Sequence, residues 1–433
     1  MRFSIKEILF FERHVRLRMP FRFGVVTLTQ APQAFVRARI RLDNGKEAEG
    51  AAAELLAPKW FDKNPALSNE DNFEQLRGSM RRAREDYLSA EAKTAYQHSR
   101  PTAGLVENFG PALIDRAALD ALCRGLGISF YEAIRKNVAG LELSPQFLGG
   151  LKPAAQIAAR HTVGLVDPIT TAEHRVSDGL PETLEEVIAR YGHRWFKLKV
   201  GGNLRADVGR LSAIAGVLDR IPESYHASLD GNEQYEDIEG VRALWSAIKA
   251  QAKLKRLAAS IVFIEQPIKR QTALTKPVAM EKPVIIDESD DSLDAFPRAK
   301  ALGYRGVSSK TCKGIYKSLI NAARCAEWGS DYFMTGEDLT IQAGLALQQD
   351  LALVSLLGLT HVERNGHHYV NGMAGLPESE QEDFLSHHPD LYERSHGAVR
   401  LKISQGMMAM KSVDCPGYAS RAMPDWNAMK EMA

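Results

Sequence analysis

The sequence predicts an α/β protein, a (β/α)8 TIM-type barrel joined to an α+β unit at its N-terminal end. Three observations carry this expectation. Residues 3 to 54 alternate apolar and polar positions with the period of two that strands show. From Leu151 onward the pattern becomes short apolar runs, each followed by a segment of helical periodicity, which is how parallel strands alternate with crossover helices. Eight such repeats in roughly 220 residues suit a barrel, whose usual size is about 250 residues. An open doubly wound sheet shares this alternation and is the structural rival.

Taken in order, the first unit opens with strand-like residues such as Phe35-Val36-Arg37-Ala38-Arg39-Ile40-Arg41-Leu42, then Asp43-Asn44-Gly45, a hairpin turn. Residues 58–101 are charged and irregular, with a helix expected near Asn72 to Tyr87, and read as a surface insertion. Between Val106 and Leu126, Leu113, Ile114, Ala117, Leu119, Leu122 and Cys123 recur with the spacing of a packed helix. The expected barrel strands are Gln156 to Val163, Trp195 to Val200, His226 to Leu229, Ile261 to Ile264, Val284 to Ile286, Gly306 to Ser309, Tyr332 to Thr335 and Leu359 to Val362. Between them, Thr183 with Glu186 has capping-box spacing, and Ile238, Val241, Leu244, Trp245 and Ile248 form one apolar helix face. The tail adds Val399-Arg400-Leu401-Lys402-Ile403, a strand expected to return to the N-terminal unit. The expected division is 1–150, 151–375 and 376–433.

Composition narrows the function. The 433 residues carry 55 Lys plus Arg against 54 Asp plus Glu, so bulk charge points to neither nucleic acid nor a membrane surface. No apolar run is long enough to span a bilayer, and Met1-Arg2-Phe3-Ser4-Ile5-Lys6-Glu7 lacks a secretory apolar core, which predicts a soluble cytoplasmic protein. Cys123, Cys312, Cys325 and Cys415 are scattered and read as reduced thiols. No Walker loop, Gly-x-Gly-x-x-Gly, His-Glu-x-x-His or Gly-x-Ser-x-Gly occurs, so the corresponding nucleotide, zinc-hydrolase and serine-hydrolase classes lack their starting residues.

Ionisable residues close successive strands, at the barrel end where catalytic groups converge. The second strand ends in Lys197-Leu198-Lys199, whose two lysines share a face, and a lysine so crowded can act as a base with a depressed pKa. The third ends in Asp230-Gly231-Asn232, the fourth in Glu265-Gln266-Pro267, the fifth in Asp287-Glu288 and the sixth in Lys310. Three convergent carboxylates suit Mg²⁺ better than zinc. Lys199 and Lys310, on strands two and six, would flank a ligand from opposite sides. Taken singly, a Lys-x-Lys is a solvated strand and an Asp-Glu is a helix cap; the order of the whole set is what points to a site.

With Lys197-x-Lys199, Asp230-x-Asn232, Glu265-Gln266-Pro267, Asp287-Glu288 and Lys310 in this order, the sequence resembles the enolase superfamily, and its muconate-lactonising subgroup in particular. The first unit, with Pro20-Phe21-Arg22-Phe23-Gly24 and Ala112-Leu113-Ile114-Asp115-Arg116-Ala117-Ala118-Leu119-Asp120, looks like that family's capping domain, completed by the C-terminal tail. The resemblance implies that Asp230, Glu265 and Asp287 bind Mg²⁺, with Mn²⁺ as a substitute. It implies that Lys199 and Lys310 are an acid/base pair, with Lys197 assisting at the substrate carboxylate. Asn232, Glu288, Glu337, Glu363 and Phe23 are further candidates for contacting substrate, His161 reads as a packed or substrate-contacting residue rather than a base, and His367-His368 reads as surface. A homo-oligomer is implied by the resemblance alone.

Two departures shape the expected substrate. The strand-eight stretch Leu359-Thr360-His361-Val362-Glu363-Arg364-Asn365 lacks the Asp-x-Asp of dipeptide epimerases, and Gly50-Ala51-Ala52-Ala53-Glu54 replaces a Gly-x-Gly-Glu loop, implying a differently shaped specificity loop. The expected activity is Mg²⁺-dependent proton abstraction beside a carboxylate, as a racemase or epimerase of a small-molecule acid. Cycloisomerisation and dehydration use the same residues. A Schiff-base aldolase built on Lys310 and a noncatalytic carboxylate-binding protein are the readings from other classes.

Overall fold

A computed structural model describes residues 1–172, 175–339 and 341–432. Three strands, β1 (Phe3–Phe23), β2 (Val26–Leu42) and β3 (Glu47–Leu55), form an antiparallel meander. Its second turn falls at the expected Asp43-Asn44-Gly45, where Gly45 supplies a φ of 80°. The Gly50–Glu54 stretch is no loop. It is the buried half of β3, and its small side chains let the helix Phe109–Leu126 lie directly on the strand: a Cβ on Gly50 would sit 2.1 Å from Ala121 N. Arg116 of that helix is wholly buried and donates to Ala53 O (3.1 Å) and Glu54 Oε2 (3.0 Å).

Residues 58–101, expected as a surface insertion, pack into this unit. Trp60 and Phe61 are buried, and Phe61 meets Phe109 edge-on. The helix Asn69–Leu88 starts at a Ser68/Asp71 capping box and buries Leu76, Met80, Ala83 and Tyr87. Tyr87 and Ser99 hydroxyls both donate to the buried Asp115 carboxyl, at 2.7 and 2.6 Å. Charge on the outer face hid this apolar stripe.

The barrel consists of β4 (Gln156–Val163), β5 (Trp195–Lys199), β6 (His226–Asp230), β7 (Ile261–Glu265), β8 (Val284–Ile286), β9 (Gly306–Ser309), β10 (Phe333–Gly336) and β11 (His361–Arg364). All pair in parallel in sequence order, and β11 pairs back to β4 from His361↔Ala158 to Arg364↔His161. That closure removes the open-sheet rival. The last strand starts two residues later than expected, which puts Glu363 on the strand itself. Among the described residues no helix is long and apolar enough to cross a membrane, and the four cysteines are free thiols.

The tail departs from expectation. Residues 398–401 form β13, which pairs with β12 (Tyr392–Ser395) across the two-residue turn His396-Gly397, both at positive φ. A partner across a two-residue turn wins because closing a short hairpin costs little chain entropy. The return to the N-terminal sheet is made instead by β15 (Lys430–Met432) on the edge of β1, while β14 (Met407–Ala409) adds to β4.

Two outcomes follow from this packing. Gly50→Ala is expected to lower stability by about 1–3 kcal/mol, read from urea unfolding, because helix backbone occupies the space of the added methyl. Burial pushes the Asp115 carboxyl up to about 7. The unfolded chain ionises it near pH 4, so its contribution is full below that pH and is lost as pH rises through 7, roughly 4 kcal/mol in all. Asp115→Asn should therefore flatten the decline of the urea midpoint between pH 4 and 7.5.

Candidate active site

The site begins with alternation along β5. Phe196 and Leu198 face the helices, so Lys197 and Lys199 face the barrel axis, where both ammonium groups are buried. Parallel register then aligns the neighbours: Lys199 pairs with Asp230, and Asp230 with Glu265. Just past these strand ends Asn232, Glu233 and Gln266 adopt left-handed φ angles of 39°, 67° and 29°. Gly231 makes room for this crossing, since a Cβ there would lie 2.6 Å from Pro267 Cα. Gln266 fixes the next strand. Its Oε1 accepts from Asp287 N (2.8 Å) and Ser289 N (3.0 Å), and its Nε2 donates to Ser289 Oγ and Ile268 O.

Lys197 Nζ lies within 2.9 Å of carboxylate oxygens of Asp230, Glu265, Glu337 and Glu363. Lys199 Nζ donates to Asp230 Oδ2 (2.5 Å) and Asn232 Oδ1 (2.7 Å). Across the mouth, Lys310 Nζ donates to Asp287 Oδ2 (2.7 Å) and sits 4.1 Å from the centre of the Trp60 ring. Asp287 Oδ1 accepts from Ser308 Oγ, which in turn accepts from Lys313 Nζ at 2.9 Å. Arg160 on β4 pairs with Glu337, and Thr162 donates to Glu363 at 2.7 Å.

These contacts set the protonation. Burial alone would lower Lys197 and Lys310, but the carboxylates around them hold both above the ordinary lysine value. The depressed lysine expected from Lys197-x-Lys199 is thus overturned at Lys197: carboxylates, rather than a second ammonium, dominate its surroundings. Burial would raise Asp287 and Glu363, yet the lysines hold both well below the carboxylate range. Glu265 goes the other way, raised by burial and by the charges of Asp230, Glu337 and Asp287.

The residues fit a divalent cation. Glu265 Oε2 is buried without a hydrogen-bond partner, beside two further carboxylates, Asp230 and Asp287. An all-oxygen donor set of this kind suits Mg²⁺ or Mn²⁺. Asp230, Glu265 and Asp287 are the residues that would hold it.

A cavity of about 20 Å³ caps the cluster, lined by Lys197, Lys199, Asn232, Lys310 and Glu363 on the barrel side and by Phe21, Phe23, Leu28, Ala57 and Trp60 on the cap side. Phe23 therefore reaches the same space as the lysines. Glu288 lies below it, accepting from Asn232 Nδ2 (3.2 Å) and Lys63 Nζ (3.3 Å), and Glu337 is fully enclosed by Arg160, Thr335 and Lys197. His161 is not at the mouth: it alternates with inward-facing Arg160 and Thr162 and points away from the axis, against His193, His367 and His368. His368 is correspondingly buried, and His367 is half-buried with both ring nitrogens turned inward, out of solvent contact. Trp60, Lys63, Arg160, Ser308 and Lys313 belong to the assembly and were not singled out from sequence. Arg160 had a signal, an arginine in the middle of the first barrel strand two residues before Thr162 on the same face; Trp60 had none, because its role depends on how the cap docks.

A family model described as enolase C-terminal domain-like matches residues 179–421. No curated protein sequence matches the chain. Among solved structures, a muconate lactonizing enzyme from Mucobacterium smegmatis complexed with muconolactone is 17% identical, with a TM-score of 0.65 and 98% of each chain covered. A dipeptide epimerase from Cytophaga hutchinsonii, complexed with Mg and the dipeptide D-Ala-L-Val, is 16% identical (TM-score 0.62, 99% of each chain). An enolase superfamily member from Roseovarius nubinhibens ISM complexed with magnesium is 18% identical, with a TM-score of 0.60, 100% of this chain and 99% of the other covered. At these identities the likeness is one of fold.

Replacing Lys197 by Met removes the cation that four carboxylates share. In EDTA at pH 7, Lys197→Met is expected to lose about 3–5 kcal/mol of stability in guanidinium unfolding, the cost of stranding buried charge.

Proposed function

The chain belongs to the enolase C-terminal domain-like family, and we propose that it is an enzyme that abstracts the proton α to a carboxylate, in a Mg²⁺-dependent racemisation or epimerisation. The observation that carries this reading is that Lys199 and Lys310, four strands apart in a closed eight-stranded barrel, both line one cavity. Lys199 takes the α-proton from one face of the substrate, and Lys310 returns one to the other face. Lys197, whose charge stays in place, stabilises the carboxylate as it becomes the more anionic enolate. Asp230, Glu265 and Asp287 are the residues that would hold Mg²⁺, which when bound would supply further positive charge against that developing charge.

The cap side of the cavity restricts the substrate. Phe21, Phe23, Leu28, Ala57 and Trp60 offer an apolar wall, and β11 presents a single carboxylate, Glu363, already engaged by Thr162 and Lys197. This supports an acid with an apolar body over a dipeptide carrying a free amine. The cavity is small, so a substrate enters only as the segment bearing Trp60 moves aside.

One observation favours a second reading. Lys310 is held as a cation between Asp287 and the Trp60 ring, an arrangement suited to stabilising charge while Lys199 alone acts as base, as cycloisomerisation or dehydration requires.

Proton NMR in D₂O with Mg²⁺ and a panel of carboxylic acids tests both. α-Proton exchange that EDTA abolishes, and that Lys199→Ala and Lys310→Ala each lower by at least about 100-fold, is the expected result for two bases. Exchange lost in Lys199→Ala alone, with ultraviolet absorbance appearing in product, supports elimination. Exchange that survives EDTA, or borohydride trapping on Lys310, overturns the enolate reading in favour of metal-free or imine chemistry.

A further inference from the structure

A second cluster of titratable groups lies where the barrel closes, away from the cavity. His161 is on β4, His193 precedes β5, and His367 and His368 lie in the short helix that follows β11. The rings of His161, His193 and His367 stand 5.2 to 5.4 Å apart by their centroids, and His368 packs 5.0 Å from His161. One ligand nitrogen from each of His161, His193 and His367 lies within 4.8 Å of the other two.

What singles this cluster out is its unmet bonding. His161 Nδ1, His193 Nε2, both ring nitrogens of His367 and His368 Nδ1 are buried without a hydrogen-bond partner. Each such group costs about 1–3 kcal/mol if left unpaired, so ordinary core packing does not account for several converging at one point. The tautomer of His193 is set: its Nδ1 donates to Ala159 O at 3.0 Å, which leaves Nε2 as a lone pair facing the other rings. A backbone carbonyl behind one imidazole nitrogen is the arrangement that orients histidine for a metal on the other. Burial also keeps the rings neutral, the ligating form, with His193 lowered to about 4.

We propose that His161, His193 and His367 form a second metal site, separate from the carboxylate cluster, that takes a Zn²⁺-class divalent transition ion. The donor set argues for that class: imidazole suits zinc, copper, nickel and cobalt, whereas Mg²⁺ prefers the oxygens at the mouth. Zn–N bonds of about 2.0–2.1 Å require the nitrogens to close to roughly 3.4 Å in a tetrahedral shell, a matter of ring rotations, with His368 or water in the remaining position. Arg18, Arg194 and Arg364 lie nearby and oppose a further cation, so binding is weaker than at a site rich in carboxylates. The ion would tie β4, the turn before β5 and the segment after β11, and so fasten the seam at which the barrel closes. The next residues along β4 hold Glu337 and Glu363, so the seam also supports the cavity wall. This proposal does not rest on the reading of the mouth.

The test uses the full chain in excess Mg²⁺, which occupies the oxygen donors. Titration with Zn²⁺, and with Co²⁺ followed by its visible absorption, is expected to show one bound ion with a tetrahedral Co²⁺ spectrum and a raised thermal midpoint. His193→Ala and His367→Gln should each weaken binding more than about 10-fold, while Asp287→Asn leaves it unchanged. Anomalous scattering at the zinc edge from wild-type crystals grown with both metals reads the site without any variant, and a peak between the three rings is expected. No Zn²⁺ bound in excess Mg²⁺, binding that follows Asp287 rather than the histidines, or no anomalous peak between the rings would overturn the proposal.

Discussion

Everything at the mouth of the barrel depends on burying opposed charges together. Asp230, Glu265, Asp287, Glu337 and Glu363 are almost wholly out of solvent, and so are Lys197, Lys199, Lys310, Lys313 and Arg160. No one of these groups could be buried ionised by itself, because the desolvation cost runs to several kcal/mol per ion. Their mutual pairing makes the cluster possible, and it also makes every member sensitive to the others. Glu265 is the place where the balance is incomplete, with one oxygen unpartnered and three carboxylates pushing against it.

The cap is bound to this arrangement rather than merely resting on it. Arg270, in the short helix after β7, grips Glu233 with two nitrogens and donates to the carbonyls of Trp60 and Phe61. Lys63 adds contacts to Glu233 and Glu288. Glu54, at the end of β3, is shared by Arg116 of the cap helix and Thr311 beside Lys310. The cap is therefore tied to the barrel loops through charge and hydrogen bonds, and the segment carrying Trp60 forms part of the apolar wall of the cavity.

The barrel seam shows a different solution. Register places Arg160 opposite Glu363 inside and His161 opposite Arg364 outside. One face of β4 thus serves the charged cavity while the other feeds the histidine cluster, so two chemically unlike environments are separated by the thickness of a single strand.

The sequence by itself determined the strands, their order and the residues at their ends. A period of two fixes which side chains share a face, and strand ends in a parallel barrel converge at one rim, so Lys197, Lys199, Asp230, Glu265, Asp287 and Lys310 could be grouped before any coordinates. Residues 58–101 and His367 were misplaced for a common reason: their neighbours are far away in the chain, and neither periodicity nor composition carries the docking of one element on another. Closure of β11 onto β4, the seat of Trp60 over Lys310 and the meeting of three histidines were decided only by tertiary structure. So was the charge state of Lys197, because a pKa is set by what surrounds a group in space, and its four carboxylate partners come from three strands and the residue just past a fourth.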